Sequence, residues 1–398
     1  MLASECRTLN MEVARWFYVP AFPTSVGHLN QFRDGSDYAD LAASYDYLAE
    51  VHANLLETSP YYSRKNGTDH IFAISHDIGS CLAPVWISQS SVMLQVLADG
   101  ATSSIVRRYL GKTGGVRCGW GEEPKYDMYL ALTRYICVEF DADISLDPEV
   151  KGDPARQEFI DRSLQGPCFV AGKDIVIPPF IGERYSLSLD AYFNKREKDI
   201  DFYFRGSVLP MPYSFGVRQW LSEKGLAFDF LVNNEALTND DLYWRELTRS
   251  LFCFSPPGWF EWSPRTYQAI AAGCIPVVIK EKETRMPFEG FVSWNNFAVF
   301  VDLENYVEEV EALMGEVKRG EWDLRIEKMQ AELKRVWRVF TYGDSGEGGG
   351  EEGGPRVFVV KGEMGEGGEG GGGEFLEVVA ESDEGGAVAY ILKELMLK

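Results

Sequence analysis

Apolar and polar positions fall into short blocks between residues 251 and 301, and this stretch carries the clearest structural pattern of the chain. Its first four residues are apolar and end at a Ser-Pro-Pro-Gly sequence, which predicts a strand followed by a turn. Ser263 and Pro264 are typical of a helix start, because serine caps helices and proline is favoured at the first helical position. Helical spacing then continues to Gly273, and the β-branched residues 275–279 predict a buried parallel strand.

The loop that opens this helix has the features of an anion-binding site. Free backbone N–H groups and the helix dipole at a helix N-terminus attract negative charge. Arg265 in the first turn adds a charged donor suited to a phosphate. The same pattern also fits an ordinary βαβ unit without a ligand, and these residues alone leave both interpretations open.

The first half of the chain, residues 1–185, alternates short apolar runs with one long helical pattern. The helical pattern covers residues 40–56 and stops near Ser59 and Pro60. Alternating strands and helices indicate parallel α/β layers. The predicted strands are residues 14–19, 71–74, 135–140 and 174–177.

The second half, residues 186–342, repeats this alternation. A predicted strand at residues 200–204 runs into a loop with turn chemistry, and helical patterns cover residues 213–221, 304–314 and 323–340. Residues 343–374 are dominated by Gly and Glu and cannot bury enough apolar surface to fold, so we expect a disordered insertion. In the last segment, residues 375–398, apolar residues at helical spacing from 387 to 395 predict a C-terminal helix.

Composition supports a globular protein with two domains. A chain of 398 residues with 45% apolar and 13% aromatic residues can build two cores. The net charge of −22 and the lack of a basic stripe argue against a nucleic-acid partner. No apolar run reaches the ~18 residues of a membrane helix, and the polar first residues do not resemble a signal peptide. Taken alone, these patterns indicate the cytoplasm.

The seven cysteines are scattered, with no CxxC pair, so the sequence predicts no zinc site. Cys253 and Cys274 lie in apolar, strand-like contexts and are predicted to be buried thiols. Four others are candidates for disulfides in an oxidising lumen, although the residues do not assign their pairs: Cys81, Cys118, Cys137 and Cys168.

Several long motifs resemble the exostosin-like glycosyltransferases of the family 47 type, which include animal heparan-sulfate polymerases and plant and algal cell-wall transferases. SPRTYQAIAAGCIPVVI and MPFEGFVSWNNFAVFV resemble the nucleotide-sugar half of these enzymes. EVARWFYVPAF, GTDHIFAISHDIGSC and GKDIVIPP resemble successive landmarks of their N-terminal half. The family usually has another strand before the RWFYVP motif, so we expect this chain to lack a first strand and the membrane anchor of Golgi enzymes.

The resemblance implies an α/β fold of two Rossmann-like domains facing a cleft, the GT-B architecture. Residues 1–185 would form the acceptor-side domain and residues 186–342 the nucleotide-sugar-binding domain. Donor binding would then occur at the carboxyl ends of strands in the second domain.

The expected diphosphate site combines small residues, which let the backbone approach the ligand, with arginines that neutralise the leaving group. Surface ion pairing is the alternative role for its arginines. We assign no paired-carboxylate motif to the site, so no metal cofactor is expected. The candidate residues are Arg205, Gly206, Ser207, Arg218, Ser263 and Arg265.

Two further positions concern the ribose and the general base. The family commonly places an acidic residue three positions after the motif arginine, where this chain has Gln268, whose carbonyl accepts a hydrogen bond without the strength of a charge. His76 and Asp77 directly follow a predicted strand and are candidates for the base that deprotonates the acceptor hydroxyl. Alternatively, Asp77 caps the next element and His76 bonds the backbone. Asn66 begins an N-glycosylation sequon, which has meaning only in the secretory lumen.

The resulting hypothesis is an inverting transfer of a sugar from a nucleoside-diphosphate sugar, expected to be a UDP-sugar, to a glycan acceptor. By resemblance, the protein would act in the Golgi lumen or at its membrane, alone or associated with itself or related transferases. The alternative is a degenerate or truncated paralogue that binds carbohydrate or nucleotide without catalysis, which Gln268 and the short N-terminus favour. A dehydrogenase is not supported, because no GxGxxG follows a predicted strand.

Overall fold

The computed structural model describes residues 8–26, 37–76, 79–96, 169–181, 198–208, 213–224, 231–233, 240–258, 261–342, 358–362, 375–379 and 387–398. Within these ranges the chain forms two parallel sheets and one antiparallel strand pair. The strands are β1 (Phe17–Val19), β2 (His70–Ile74), β3 (Val92–Gln95), β4 (Ile175–Val176), β5 (Ile200–Arg205), β6 (Leu231–Asn233), β7 (Ser250–Ser255), β8 (Ile275–Lys280), β9 (Val299–Asp302), β10 (Phe358–Gly362) and β11 (Phe375–Val379). The helices are α1 (Asp37–Thr58), α2 (Pro60–Arg64), α3 (Val85–Ser90), α4 (Val217–Lys224), α5 (Asp240–Arg249), α6 (Pro264–Ala271), α7 (Tyr306–Lys318), α8 (Asp323–Val336) and α9 (Ala387–Met396).

The first sheet has the strand order β1-β2-β3-β4, and every neighbouring pair is parallel. Its strands are almost wholly apolar because both faces are covered. Phe72 and Ile74 of β2 pack on one face with Leu48 of α1. Ile71 points to the other face and joins the large buried cluster that also contains the second sheet. The predicted α/β fold is therefore confirmed for this half.

The second sheet has the strand order β6-β5-β7-β8-β9, again with every pair parallel. Counted within this sheet, the order is 2-1-3-4-5, one of the two common doubly wound arrangements. The strand order reverses between β5 and β7, and the loops that follow these strands diverge there. Open parallel sheets bind ligands at this switch point, outside the carboxyl ends of the strands.

Local sequence signals account for the loop and helix that follow β7. Ser263 has extended backbone angles, and its hydroxyl accepts a hydrogen bond from the N–H of Arg265 at 3.3 Å. Pro264 occupies the first helical position of α6, and Gly273 follows the helix with a φ of 65°. The predicted cap, helix start and helix end are all confirmed. A hydrogen bond between the hydroxyls of Ser255 and Thr266 also fixes the helix start to the end of β7.

Cys253 and Cys274 form a disulfide, so the prediction of two buried thiols is wrong in its chemistry, although both residues are buried. Cys274 immediately precedes β8, and Cys253 of β7 lies opposite Pro276. The parallel register of β7 and β8 therefore brings the two Cα atoms to 5.9 Å, a separation that suits a disulfide. Two cysteines 21 residues apart meet only because the strands pair in this register.

Three contacts join the part of the chain around the second sheet to the part around the first. The hydroxyl of Tyr342 donates to the carbonyl of Pro178 at 2.7 Å. Lys398, beyond the end of α9, donates to the carbonyl of Gly172 at 2.8 Å. Trp262 packs against both large buried clusters, so the loop before α6 lies beside the first sheet.

Other predictions differ from the structure or lie outside it. The expected disordered insertion at residues 343–374 contains β10, which pairs with β11. Each of these strands is a short apolar run, whereas the prediction of disorder rested on the Gly and Glu content averaged over the segment. β11 occupies the start of the segment 375–398, and α9 confirms the helix predicted at residues 387–395. The predicted strand at residues 135–140 and the domain boundary at residue 185 lie outside the described residues. Strands β3, β6 and β9 were not predicted.

Candidate functional site

The loops after β5 and β7 meet at the switch point of the second sheet, and most of the predicted donor-site residues lie there. The loop after β5 begins with Gly206, and the loop after β7 leads to Ser263 and Arg265 at the start of α6. The positive end of the helix dipole of α6 and the side chain of Arg265 give this edge a positive potential. The structure therefore brings two distant sequence motifs to one position.

Arg265 connects the two loops and keeps part of its guanidinium available. Its Nε donates to the carbonyl of Arg205 at 3.0 Å, and its Cζ lies 5.8 Å from the ring centroid of Phe204. No carboxylate in the described part of the chain pairs with Arg265. The guanidinium of Arg265 is thus held in a fixed orientation, and no carboxylate among the described residues neutralises its charge.

Gly206 is required by the position of this guanidinium. A Cβ atom at residue 206 would lie 2.9 Å from Cζ and 3.1 Å from Nε of Arg265, which is closer than real Cβ contacts allow. Arg265 thus lies directly on the backbone of the loop after β5. The expectation that Gly206 lets the backbone approach a diphosphate stays a prediction, and in the structure the group that approaches this residue is the guanidinium of Arg265.

Arg218 is buried and ties three segments of the site together. Its Nε donates to the carbonyl of Pro257 at 3.0 Å, and its Nη1 donates to the carbonyl of Ser207 at 3.2 Å and to the hydroxyl of Tyr213 at 2.6 Å. Burial and the nearby positive charge of Arg265 lower the pKa of Arg218 to about 10. The side chain therefore remains charged at neutral pH, and no acid among the described residues neutralises it.

Arg205 differs from the other two arginines because it has an acidic partner. Its Nη1 lies 3.2 Å from Oε2 of Glu246 on α5. The hydroxyl of Tyr203 donates to the same oxygen at 3.1 Å, and burial raises the pKa of this tyrosine. The ion pair is internal, so the side chain of Arg205 fixes α5 to β5, while its carbonyl orients Arg265.

The segment before α4 forms a strained elbow that sequence reasoning missed. Ser214, Phe215 and Gly216 have φ values of 57°, 53° and 83°, whereas the pattern predicted a simple helix start. Each non-glycine residue in this conformation costs roughly 1 kcal/mol. The N–H of Ser214 donates to the carbonyl of Gly258 at 3.0 Å, so the loop after β7 holds the elbow in place. Gly216 is the one local signal that could have indicated it.

Glu261 is a second residue that sequence reasoning missed. It is buried, and its Oε2 accepts hydrogen bonds from the N–H of Glu281 at 3.1 Å and from the hydroxyl of Thr284. These bonds attach the loop before Ser263 to the segment after β8. Nothing local marks Glu261, because its partners lie about twenty positions further along the chain.

Gln268 lies one turn after Arg265 on α6, and its carbonyl has a protein partner. The hydroxyl of Tyr243, a buried residue of α5, donates to Oε1 of Gln268 at 2.8 Å. The side chain is partly exposed and has a fixed orientation. The expected role of Gln268 in ribose binding stays a prediction, with Tyr243 as the group that would orient it.

His76 lies just beyond the carboxyl end of β2 in the first sheet and is buried. Its carbonyl accepts a hydrogen bond from Gly79 at 2.9 Å, which closes a tight turn. The side chain of Gln95, at the end of β3, accepts a hydrogen bond from the N–H of Ser80 at 2.6 Å and holds the same loop. The other candidate base, Asp77, lies outside the described residues.

Two further features concern cofactors and membranes. In the described ranges, no three or more His, Cys, Asp or Glu side chains come together in a way that could hold a metal ion. The expectation of a metal-independent site stays a prediction. None of the described helices has the length and apolar character of a membrane-spanning segment.

Two parallel α/β sheets, with an arginine-lined helix start at the switch point of the second, define a protein of the GT-B architectural class. Residues 1–316 match the family model described as the Exostosin GT47 domain. Because the match covers most of the chain, this protein belongs to the exostosin GT47 family, and the resemblance of its motifs is confirmed.

The most similar relatives include three plant proteins. The chain is 27% identical to a "Probable glucuronosyltransferase" of Oryza sativa subsp. japonica, over 86% of this chain and 66% of the relative. It is 25% identical to a "Probable glucuronoxylan glucuronosyltransferase" of Arabidopsis thaliana, over 76% of this chain and 53% of the relative. It is 24% identical to a "Probable beta-1,4-xylosyltransferase" of the same plant, over 79% of this chain and 62% of the relative. The chain thus spans about half to two thirds of the length of these relatives.

Proposed function

We propose that this protein transfers a sugar from a nucleoside-diphosphate sugar to a glycan acceptor. The single observation that carries the proposal is Arg265, which lies at the start of α6, oriented by the carbonyl of Arg205, with no carboxylate partner among the described residues. A second cation, Arg218, also has no acidic partner among the described residues. It lies close enough to Arg265 for the charge of Arg265 to lower the pKa of Arg218. Two adjacent guanidiniums beside a helix N-terminus suit a diphosphate.

In this proposal the two arginines have different tasks. Arg265 presents its Nη atoms to the diphosphate and stabilises the negative charge that develops as the bond to the anomeric carbon breaks. Arg218 contributes charge from a buried position and holds the loops of Ser207 and Pro257 at the distance that the ligand requires. Gly206 and the capped start of α6 keep this arrangement in place before the donor arrives.

The acceptor hydroxyl would be deprotonated from the side of the first sheet, where His76 follows β2. A base opposite the leaving group gives direct displacement with inversion at the anomeric carbon. We assign no metal ion to the diphosphate site, because the guanidiniums already supply positive charge to the leaving group.

A UDP-sugar is the donor that we propose to test first, and the names of the plant relatives suggest UDP-glucuronic acid and UDP-xylose. The protein is expected to bind UDP and to release it from one of these donors when a xylo-oligosaccharide is present. Arg265→Ala should weaken UDP binding, measured by calorimetry, by about 100-fold and abolish turnover. Arg249→Ala is the matched control, because Arg249 is exposed and already paired with Asp199. Wild-type UDP affinity in Arg265→Ala would contradict the proposal.

We also propose that the protein folds in the lumen of the secretory pathway, in the Golgi as its relatives' class suggests. The Cys253–Cys274 disulfide supports an oxidising compartment. The sequon of Asn66 lies in an exposed turn between α2 and β2 and is accessible to glycosylation. Protein from a eukaryotic host should lose mass when treated with an N-glycosidase, and Asn66→Gln should not. An unglycosylated wild-type chain secreted through that pathway would contradict the use of this sequon.

A further inference from the structure

We propose that Phe22 and Phe180 are stacking surfaces for sugar rings of an extended acceptor glycan, one on each side of His76. The proposal takes its biological meaning from the transfer reaction proposed above, but it concerns acceptor binding alone. The two phenylalanines would hold sugar units before and after the one that reacts. The predicted preference is therefore for an oligosaccharide over a mono- or disaccharide.

Both side chains are unusually exposed for phenylalanine. Phe22 is 60% exposed and Phe180 is 65% exposed, while the residues beside them are turned inward: Ala21 is 3% exposed and Ile181 is 9% exposed. Exposing a large aromatic ring costs free energy that burial would recover. Since the neighbouring residues are buried, each ring lies on the surface because the backbone directs it there.

The topology of the first sheet places the two rings along one edge. All four strands are parallel, so their carboxyl ends lie together, and Phe22 and Phe180 shortly follow the two outer strands, β1 and β4. These strands are separated by three interstrand spacings, about 14 Å. His76 after β2 and Gln95 at the end of β3 lie between them.

Hydrogen bonds hold both loops against this edge. On the β1 side, the hydroxyl of Ser75 donates to that of Thr24 at 3.2 Å, which attaches the loop of Phe22 to the residue before His76. The same loop is also attached to α1, since the hydroxyl of Ser44 donates to the carbonyl of Pro23 at 2.9 Å. The rings would therefore meet a ligand from fixed positions, which lowers the entropy cost of binding.

On the β4 side, the loop of Phe180 is fixed to both sheets. The N–H of Ile177 donates to the carbonyl of Gln95 at 2.9 Å, and Pro178 accepts the hydrogen bond from Tyr342 at 2.7 Å. The ring of Phe180 lies 6.5 Å from that of Tyr342. Because Tyr342 follows the second sheet, Phe180 lies where the two parts of the chain meet.

The chemistry of this edge fits a glycan better than a protein or lipid partner. Proteins and membranes bind to contiguous apolar patches, whereas here the two exposed rings are separate, and the exposed polar residue Ser75 lies on the loop after β2 between them. A sugar chain has the same alternation, with apolar C–H faces that stack on aromatic rings and hydroxyl groups that need polar partners. An extended oligosaccharide could contact both rings at once.

The test measures acceptor binding by calorimetry, in the absence of any donor, with xylohexaose and cellohexaose as the probes. Phe22→Ala and Phe180→Ala should each weaken binding of the hexasaccharide that the wild type prefers, by about two- to tenfold. Phe22→Trp should retain it, and binding of the corresponding disaccharide, which cannot span both rings, should change far less. Leu324→Ala is the control, because Leu324 is 75% exposed on α8 and far along the chain from this edge.

Two measurements separate this proposal from the transfer function. UDP binding should be unchanged in both alanine variants and thermal unfolding should change little, since both rings are more than half exposed. Hexasaccharide binding that depends on both rings in a protein that binds no UDP would support the stacking surfaces and contradict the transferase proposal. Wild-type protein that binds neither hexasaccharide, or alanine variants that bind like the wild type, would overturn the stacking proposal.

Discussion

Replacing Gly206 with alanine tests the central geometry of the site with one methyl group. The new Cβ would lie 2.9 Å from Cζ of Arg265, so the guanidinium must move away. The movement would break or lengthen its 3.0 Å hydrogen bond to the carbonyl of Arg205. Gly206 does not have a left-handed φ, so steric contact, and not backbone strain, would cause the effect.

The expected magnitude follows from the hydrogen bond between the guanidinium and the diphosphate, which the displaced side chain would no longer make. A hydrogen bond to a charged group contributes about 1.5–3 kcal/mol, which corresponds to roughly a 10- to 100-fold loss of UDP affinity. The free energy of unfolding should change much less, because Arg265 can move toward solvent. Calorimetric titration with UDP measures the first quantity, and urea unfolding measures the second.

The double variant Gly206→Ala/Arg265→Ala tests whether displacement of Arg265 causes the loss of UDP affinity in Gly206→Ala. In an Arg265→Ala background, Gly206→Ala should cause no additional loss, because the group that it displaces is absent, so the two changes should be strongly non-additive. An undiminished effect of Gly206→Ala in that background would refute the reasoning, as would wild-type UDP affinity in Gly206→Ala alone.

Three further predictions concern the disulfide, metal ions and pH. Replacing Cys253 and Cys274 with serine should lower the free energy of unfolding by about 3 kcal/mol, from the closure entropy of a 21-residue separation, and unchanged urea unfolding would contradict this. Dialysis against EDTA should leave UDP binding intact, because the arginines supply the positive charge; a loss that Mn²⁺ restores would assign a metal to the site. Burial lowers the pKa of Lys198 from 10.5 to about 8, so the folded chain binds fewer protons than the unfolded chain between these values. The free energy of unfolding should therefore rise as pH increases through this window, and a rise of equal size in Lys198→Met would exclude Lys198 as its source.

The parts of the fold that could be predicted from sequence are those with local signals. Ser263, Pro264 and Gly273 each mark one end of α6 through their own backbone preferences, and all three positions are confirmed. The long helix α1 was predicted for the same reason, since its apolar spacing repeats over many turns. Strands β1 and β4 are shorter than β3, but Pro20 and Pro178 mark their ends, whereas β3 has no such stop signal and is defined by its pairing with β2 and β4.

Pairings across the chain could not be predicted, because they depend on strand register. Arg205 and Arg265 are both candidates for the diphosphate site from sequence. In the structure Glu246 on α5 pairs with Arg205, whereas Arg265 has no acidic partner among the described residues. The Cys253–Cys274 bond depends in the same way on how β7 and β8 align. Sequence identified the candidates for the site, and the tertiary structure separated Arg205, which pairs with an acid, from Arg265, which has no acidic partner among the described residues.

The hydrogen bonds of Tyr342 and Lys398 give the part of the chain around the second sheet two contacts with the part around the first. Their acceptors, Pro178 and Gly172, lie on opposite sides of β4 in the sequence. Two separate points of contact oppose a twist of one part against the other more strongly than a single contact does. Relative movement of the two parts would therefore be mainly an opening and closing about the line that joins these contacts.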